Sequence, residues 1–253
     1  MKAALVVALL ACSPAVAVAE WPTLRQELAK HGIDASRLED ADRQITSYAV
    51  RAESDWFAIA YYWYGGSDLL PPELRIRTLE RASGSWRFRI LHANDRTGGS
   101  AVGIQRVRGV IYLDLHLTPS AGELIALSED LRVRRRLSGW SSLLMPDGRM
   151  LYENSMTHFA PAHPGSVSLY DPEADRDVRV YPAQPERLVR LRWMDRSISK
   201  VVQAGPDRVR ILAREQPVLI GQDNRAVPDG PAREIDVSCD ISRARPVCRV
   251  RTR

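Results

Sequence analysis

Five titratable residues set out the chemistry this sequence could perform: His116, His158 and His163, with the carboxylates Asp114 and Glu153 close to them along the chain. Imidazoles gathered beside carboxylates bind a divalent metal or move protons near neutral pH. Two of the histidines sit in matched surroundings. His116 is followed by Leu117, Thr118 and Pro119, and His158 by Phe159, Ala160 and Pro161, so that both the His and the Pro recur at an offset of 42. The local spacing matches no established zinc motif. Two readings therefore stand side by side: a histidine and carboxylate rim that handles metal or protons, or a pair of tight His–Pro turns whose rings bond backbone carbonyls.

Other chemistries find less support. No Gly-x-Ser-x-Gly nucleophile elbow, P-loop or glycine-rich dinucleotide fingerprint occurs. Asp223, Asn224, Asp229 and Gly230 offer oxygen ligands, but their spacing departs from a calcium loop and Pro228 with Gly230 reads as a turn. Cys239 and Cys248 lack the two-residue spacing of a redox or zinc pair, and strand-like runs flank them. They read as a disulfide stapling a terminal hairpin.

The compartment follows from the amino terminus. Lys2, the apolar stretch Ala3 to Ala11 and the small-residue pattern Ala17-Val18-Ala19 predict a secretory signal over residues 1–19, with a mature chain from Glu20. The destination is periplasmic or secreted. An alternative takes Leu9, Leu10 and Ala11 before Cys12 as a lipobox and anchors the protein through a lipid on Cys12. No later segment is long and apolar enough to span a membrane as a helix, so no transmembrane segment is expected in the mature chain. The formal charge of the whole chain is +5, carried almost entirely by arginine, since Lys30 and Lys200 are the only lysines after Lys2. Charge spread in this way argues weakly for an anionic partner, and no stacking platform for single strands is visible, so no nucleic-acid partner is expected.

Residues 20–43 read as an N-terminal helical segment, with a helix from Pro22 to His31 stopped by Gly32 and a short turn capped by Ser36 and Glu39. Residues 44–253 then read as a β-repeat domain ending in the disulfide hairpin. Strand signals fall at 45–50, 56–63, 74–79, 86–91, 102–107, 110–117, 123–127, 132–137, 141–145, 149–153, 166–170, 178–181, 188–193, 197–202 and 208–214. Arginines recur at the strand period of two, as in Arg75 and Arg77, Arg87 and Arg89, or Arg208 and Arg210, and are expected on solvated faces opposite Leu74, Ile76, Val209 and Ile211. The run Trp56 to Tyr64 places aromatic rings at both parities, as in a strand covered on both faces.

The His–Pro match belongs to a longer internal repeat. Gly109 and Gly148 each open a strand that carries Tyr112 or Tyr152, preceded by one strand and followed by the His–Pro turn and two further strands, giving a unit of about 40 residues and four strands. Residues 56–91 repeat the strand order without the histidine. Period and strand count resemble the β-propeller repeat proteins, in which each blade is a four-stranded meander. The resemblance implies an all-β fold of antiparallel meander repeats, a small propeller-like domain of four to five blades; a β-sandwich is the alternative. With no catalytic signature, the first functional expectation is an exported, non-catalytic binding or assembly module for an envelope protein or glycan, without a cofactor. The alternative is an exported hydrolase or lyase, acting on carbohydrate, that uses the His116, His158, His163, Asp114 and Glu153 rim with or without a divalent metal.

Overall fold

The structure, a computed structural model, describes residues 21–63, 73–91, 100–118, 121–154, 165–183, 192–220 and 226–252. The leader, Cys12, His158 and His163 lie outside the described residues. The chain divides into two compact units after Gln44.

In the first unit α1 spans Leu24–Ala29. Thr23 and Gln26 form a reciprocal capping box: the Thr23 hydroxyl accepts from the Gln26 amide at 3.2 Å, and the Gln26 side chain accepts from the Thr23 amide at 2.8 Å. The helix is shorter than the spacing predicts because its end tightens. His31 and Gly32 donate three residues back, to Leu28 and Ala29, and Gly32 then turns to a φ of +68°. Ser36 does not cap a following turn; its hydroxyl donates instead to Asp34 Oδ2 at 2.6 Å.

The second unit is all-β. Four antiparallel sheets follow one another along the chain. Sheet I holds β1 (Thr46–Ala52), β2 (Trp56–Trp63), β3 (Glu73–Glu80) and β4 (Ser85–Leu91). Sheet II holds β5 (Ser100–Val107), β6 (Val110–Thr118), β7 (Ala121–Ser128) and β8 (Val133–Ser138). Sheet III holds β9 (Trp140–Leu144), β10 (Met150–Asn154), β11 (Ser166–Asp171) and β12 (Arg176–Tyr181). Sheet IV is built from β13 (Arg192–Gly205), β14 (Arg208–Ile220), β16 (Arg233–Asp240) and β17 (Val247–Thr252), with β15 (Ala226–Pro228) paired to the far end of β14. Sheets I to III are local meanders in which each strand pairs with its neighbour in sequence, and sheet IV departs from this at one step, where β14 pairs both β15 and β16.

Alternation along the strands decides how the sheets pack, because successive side chains leave opposite faces. Ala58, Ala60, Leu74 and Ile76 of sheet I meet Ile111, Leu113 and Leu115 of sheet II. The other face of β6 sends Val110 and Tyr112 against Met150, Tyr152 and Tyr170 of sheet III. The remaining face of sheet III packs Leu151, Val167 and Leu169 on Val209, Ile211 and Val237 of sheet IV. Three apolar layers thus join four sheets in chain order.

Three sequence expectations change. The runs 188–193 and 197–202 belong to one element as far as they are described, since β13 continues from Arg192 to Gly205 with only register shifts after Ile198 and Gln203; no Gly or Pro breaks the chain between Trp193 and Ser197. The disulfide hairpin opens no fifth sheet. Cys239 and Cys248 are direct partners in the β16–β17 register, 4.1 Å apart at Cα, and close the edge of sheet IV. Finally, Arg75 and Arg77 are not solvated. Arg77 is 8% exposed and donates to the Tyr61 hydroxyl at 3.1 Å, while the guanidinium groups of Arg75 and Arg77 lie over Trp63 and Phe88 at 3.8 and 4.2 Å. Aromatic rings on the neighbouring strands cover them. Arg87, Arg89, Arg208 and Arg210 are exposed, as their spacing predicts.

Candidate functional site

The two described members of the sequence-derived rim that stand closest, Asp114 and His116, lie on β6 on the face that carries Val110 and Tyr112. That face changes from apolar to polar along the strand. Tyr112 is buried, and its hydroxyl donates at 2.7 Å to the carbonyl of Gly148 in the β9–β10 turn, tying sheet II to sheet III. Burial pushes the Tyr112 hydroxyl well above the ordinary tyrosine range.

One step further, Asp114 is only 9% exposed. Its Oδ2 accepts from the Ser141 amide at 3.2 Å and from the Ser141 hydroxyl, a second link from β6 to β9. The Ser141 hydroxyl also receives the Gln105 side-chain amide from β5 at 3.3 Å. Oδ1 of Asp114 is buried with no hydrogen-bond partner. Gly103 is opposite Asp114 on β5, and a Cβ there would stand 3.7 Å from the Asp114 Cβ, an ordinary packing distance. Burial raises the Asp114 pKa, and the two Ser141 bonds pull it the other way.

His116, half-buried, meets Trp140 edge-on, with ring centroids 6.4 Å apart and planes at 67°. Trp140 lies over Gly122, the β7 residue in register with His116; a Cβ on Gly122 would be 2.3 Å from the indole Nε1. Gly139, at a φ of +144°, donates its amide to the Gly122 carbonyl at 2.9 Å, and a Cβ on it would be 2.2 Å from the Glu153 carbonyl oxygen. Two glycines thus permit the close approach of sheets II and III where His116 and Trp140 meet.

Glu153 does not join Asp114. It follows Tyr152 on β10 and so leaves the opposite face of sheet III, where it borders a recess of about 240 Å³ with Ile198 and Lys200 of β13. The structure therefore brings Asp114 and His116 to one side of sheet III and Glu153 to the other. His158 and His163 lie outside the described residues, and among the described residues no three His, Cys, Asp or Glu side chains gather as a metal-binding group. Asp229 of the weak oxygen cluster pairs with Arg192 at 3.0 Å.

Sequence reasoning did not find the remaining buried polar network. Arg196 on β13 is 5% exposed and donates to Glu215 of β14 at 2.7 Å, and the Tyr181 hydroxyl of β12 donates to the same Glu215 oxygen at 2.6 Å. Arg196 also stacks on the Tyr181 ring at 5.1 Å. Burial and the Glu215 carboxylate raise the Tyr181 hydroxyl above the ordinary range. Tyr152 similarly donates to Asp177 of β12 at 2.8 Å. An aromatic residue beside an arginine in a strand carries no sequence mark of such a network, since its partners come from other strands.

No family model matches the chain, and no curated protein matches it. Among solved structures it is similar to the dipeptidyl peptidase 4 of Porphyromonas gingivalis at 9% identity, over 80% of this chain and 35% of that one, with a TM-score of 0.40. The chain spans about a third of that protein, and a likeness so distant carries no argument about what this chain does.

Proposed function

We propose that the chain is an exported, non-catalytic binding or assembly module whose residues 45–253 form a four-bladed β-propeller-like domain presenting a surface to an envelope protein or glycan. The observation that carries this reading is the engagement of Asp114. One of the two carboxylates of the candidate rim is held by the amide and hydroxyl of Ser141 on the next sheet, and its neighbour His116 packs on Trp140 of that same sheet. Tyr112, Tyr152, Arg149 and Arg196 also join one strand or sheet to the next. Side chains locked in this way make a rigid scaffold, which is what a surface for recognition needs.

The blade arrangement is supported by four successive antiparallel sheets, three of them meanders of consecutive strands, with apolar faces alternating along the chain. A β-sandwich would place the same strands in two facing layers. Export is supported by the leader pattern of residues 1–19 and by the Cys239–Cys248 disulfide, which suits an oxidising compartment.

The test has two arms. Produced with its leader in a Gram-negative host, the protein should yield a mature chain starting at Glu20; a diacylated Cys12 would instead establish the anchored form, and an uncleaved cytoplasmic chain would overturn export. The purified domain should show no turnover of chromogenic esters, phosphates or glycosides that depends on Asp114 or His116. A turnover that falls by about a hundredfold or more in Asp114→Asn or His116→Ala, the loss expected for a general acid or base, would establish the hydrolase reading in its place.

A further inference from the structure

The outer face of sheet IV carries a recess with a distinct charge pattern. Arg208 of β14, Ser238 and Asp240 of β16, and Val247 and Arg249 of β17 line it, and Arg243 enters from the β16–β17 connection. Its volume is about 470 Å³, within the range of small-molecule sites. Strand register explains the convergence. Arg208 is directly opposite Asp240, Asp240 opposite Val247, and Ser238 opposite Arg249, so these side chains leave one face of the sheet at one end. The Cys239–Cys248 disulfide lies between the two strands beneath them and fixes their spacing.

Three guanidinium groups meet a single carboxylate here, and that carboxylate is already engaged. Asp240 Oδ1 accepts the Ser242 amide at 3.0 Å and its hydroxyl at 2.6 Å, folding onto its own turn. Among the described residues no carboxylate comes within ion-pair distance of Arg208, Arg243 or Arg249, although Arg208 and Arg243 stand near enough to Asp240 to help hold its pKa down. Elsewhere on the same sheet Arg210 is paired with Asp236 and Arg192 with Asp229. Guanidinium groups present planar forks of donors that match a tetrahedral oxyanion two bonds at a time. Gathering three of them unpaired in one concavity costs mutual repulsion, which an anionic ligand removes.

We propose that this recess binds a phosphate group, held by Arg208, Arg243 and Arg249 with the Ser238 hydroxyl as a further donor. The proposal rests on the binding-module reading and gives its ligand a chemistry. The group reaches the site either as free phosphate or as the headgroup of an anionic lipid, and both present the same oxygens.

The experiment titrates the mature domain calorimetrically with inorganic pyrophosphate at low ionic strength, and in parallel sediments it with phosphatidylglycerol vesicles against phosphatidylcholine vesicles. Saturable binding is expected, weakened about tenfold by Arg208→Ala or Arg249→Ala and unchanged by Arg134→Ala on the exposed edge strand β8. Arg249→Lys should recover only part of the affinity, because it keeps the charge and loses the fork. Pyrophosphate binding alone identifies the soluble group, and vesicle binding alone identifies the headgroup. No binding in either arm overturns the site, as does binding that Arg134→Ala weakens as much as Arg208→Ala. Such a failure leaves the turnover test of the module reading untouched, so the two can fail separately.

Discussion

Arg149 Nη2 donates to Asp207 Oδ1 at 2.6 Å, joining the β9–β10 hairpin of sheet III to the β13–β14 turn of sheet IV. The same side chain donates to Asp147 Oδ2 at 2.7 Å and to the carbonyls of Ile241 and Pro206 at 3.2 and 3.3 Å. Arg149 therefore bridges three connections at one end of the two sheets. Burial disfavours its charge, but bonds to Asp147 and Asp207 outweigh this and raise its pKa.

Replacing Arg149 with alanine should lower stability by about 1–3 kcal/mol, the range for hydrogen bonds to a charged group reduced by the partial exposure of Asp207. For a domain of this size that corresponds to a fall in Tm of roughly 2–10 °C. Arg149→Lys should recover less than half, because one ammonium cannot reach two carboxylates and two carbonyls together. Urea denaturation with unchanged slope checks both values. A lysine variant as stable as the parent would show that charge alone holds the hairpins.

Asp114 makes stability depend on pH in a definable direction. Its folded pKa is raised by burial against the bonds from Ser141, so the folded state holds a proton more tightly than the unfolded chain does. Sheet II to sheet III packing is then best below the ordinary aspartate value of 3.8, and stability from this group is lost as pH rises from that value through the folded pKa. Asp114→Asn keeps an oxygen for Ser141 and removes the titration. The variant should gain on the parent as pH rises across this window and level off above it, measured as the difference between their denaturation midpoints. A difference that does not change with pH would remove the buried carboxylate from the account.

Removing the donors has the opposite sign. Ser141→Ala leaves the buried Asp114 carboxylate with the residue-141 amide as its one remaining donor on Oδ2 and none on Oδ1, and should cost about 1–3 kcal/mol at neutral pH. In the Asp114→Asn background the same substitution should cost less, because the stranded group is then neutral. A double-mutant cycle reads the coupling directly.

Gly122→Ala should destabilise by about 1–3 kcal/mol through overpacking, since the added methyl would meet the Trp140 indole at 2.3 Å. Trp140 must move, and with it the contact to His116, so the tryptophan emission should shift to the red. In the Trp140→Ala background Gly122→Ala should be nearly neutral. An equal cost in both backgrounds would place the clash elsewhere.

Opening the Cys239–Cys248 bond by Cys239→Ser and Cys248→Ser together should cost about 2–3 kcal/mol on the loop-entropy account. The loss should show in urea and not in far-ultraviolet dichroism, because β16 also pairs with β14 along Arg233 to Asp240 and keeps its register. Reduction of the parent should reproduce the double variant.

Local pattern was sufficient wherever a residue's environment is set by its own strand. The period-two arginines and aliphatics, the strand openings at Gly109 and Gly148 and the cross-strand cysteines are all consequences of the extended backbone and its right-angle side chains. The four-stranded antiparallel repeat was legible for the same reason, since most strands pair with neighbours in sequence, whereas the number of sheets, expected as four or five, was settled at four only when the terminal hairpin joined sheet IV. Arg75 and Arg77 were misplaced because the pattern specifies which face a side chain leaves but not what covers that face, and here Trp63, Phe88 and Tyr61 do.

By itself the sequence determined an all-β chain of four-stranded antiparallel repeats and a disulfide at its carboxyl-terminal edge. Tertiary structure alone decided that Asp114 answers to Ser141, that Trp140 covers Gly122, and that Glu153 leaves the far face of sheet III. It also decided that Arg208, Arg243 and Arg249 converge. Each of these pairings spans strands or connections that are distant in sequence, and their distances depend on how whole sheets pack, a quantity that short-range periodicity does not encode.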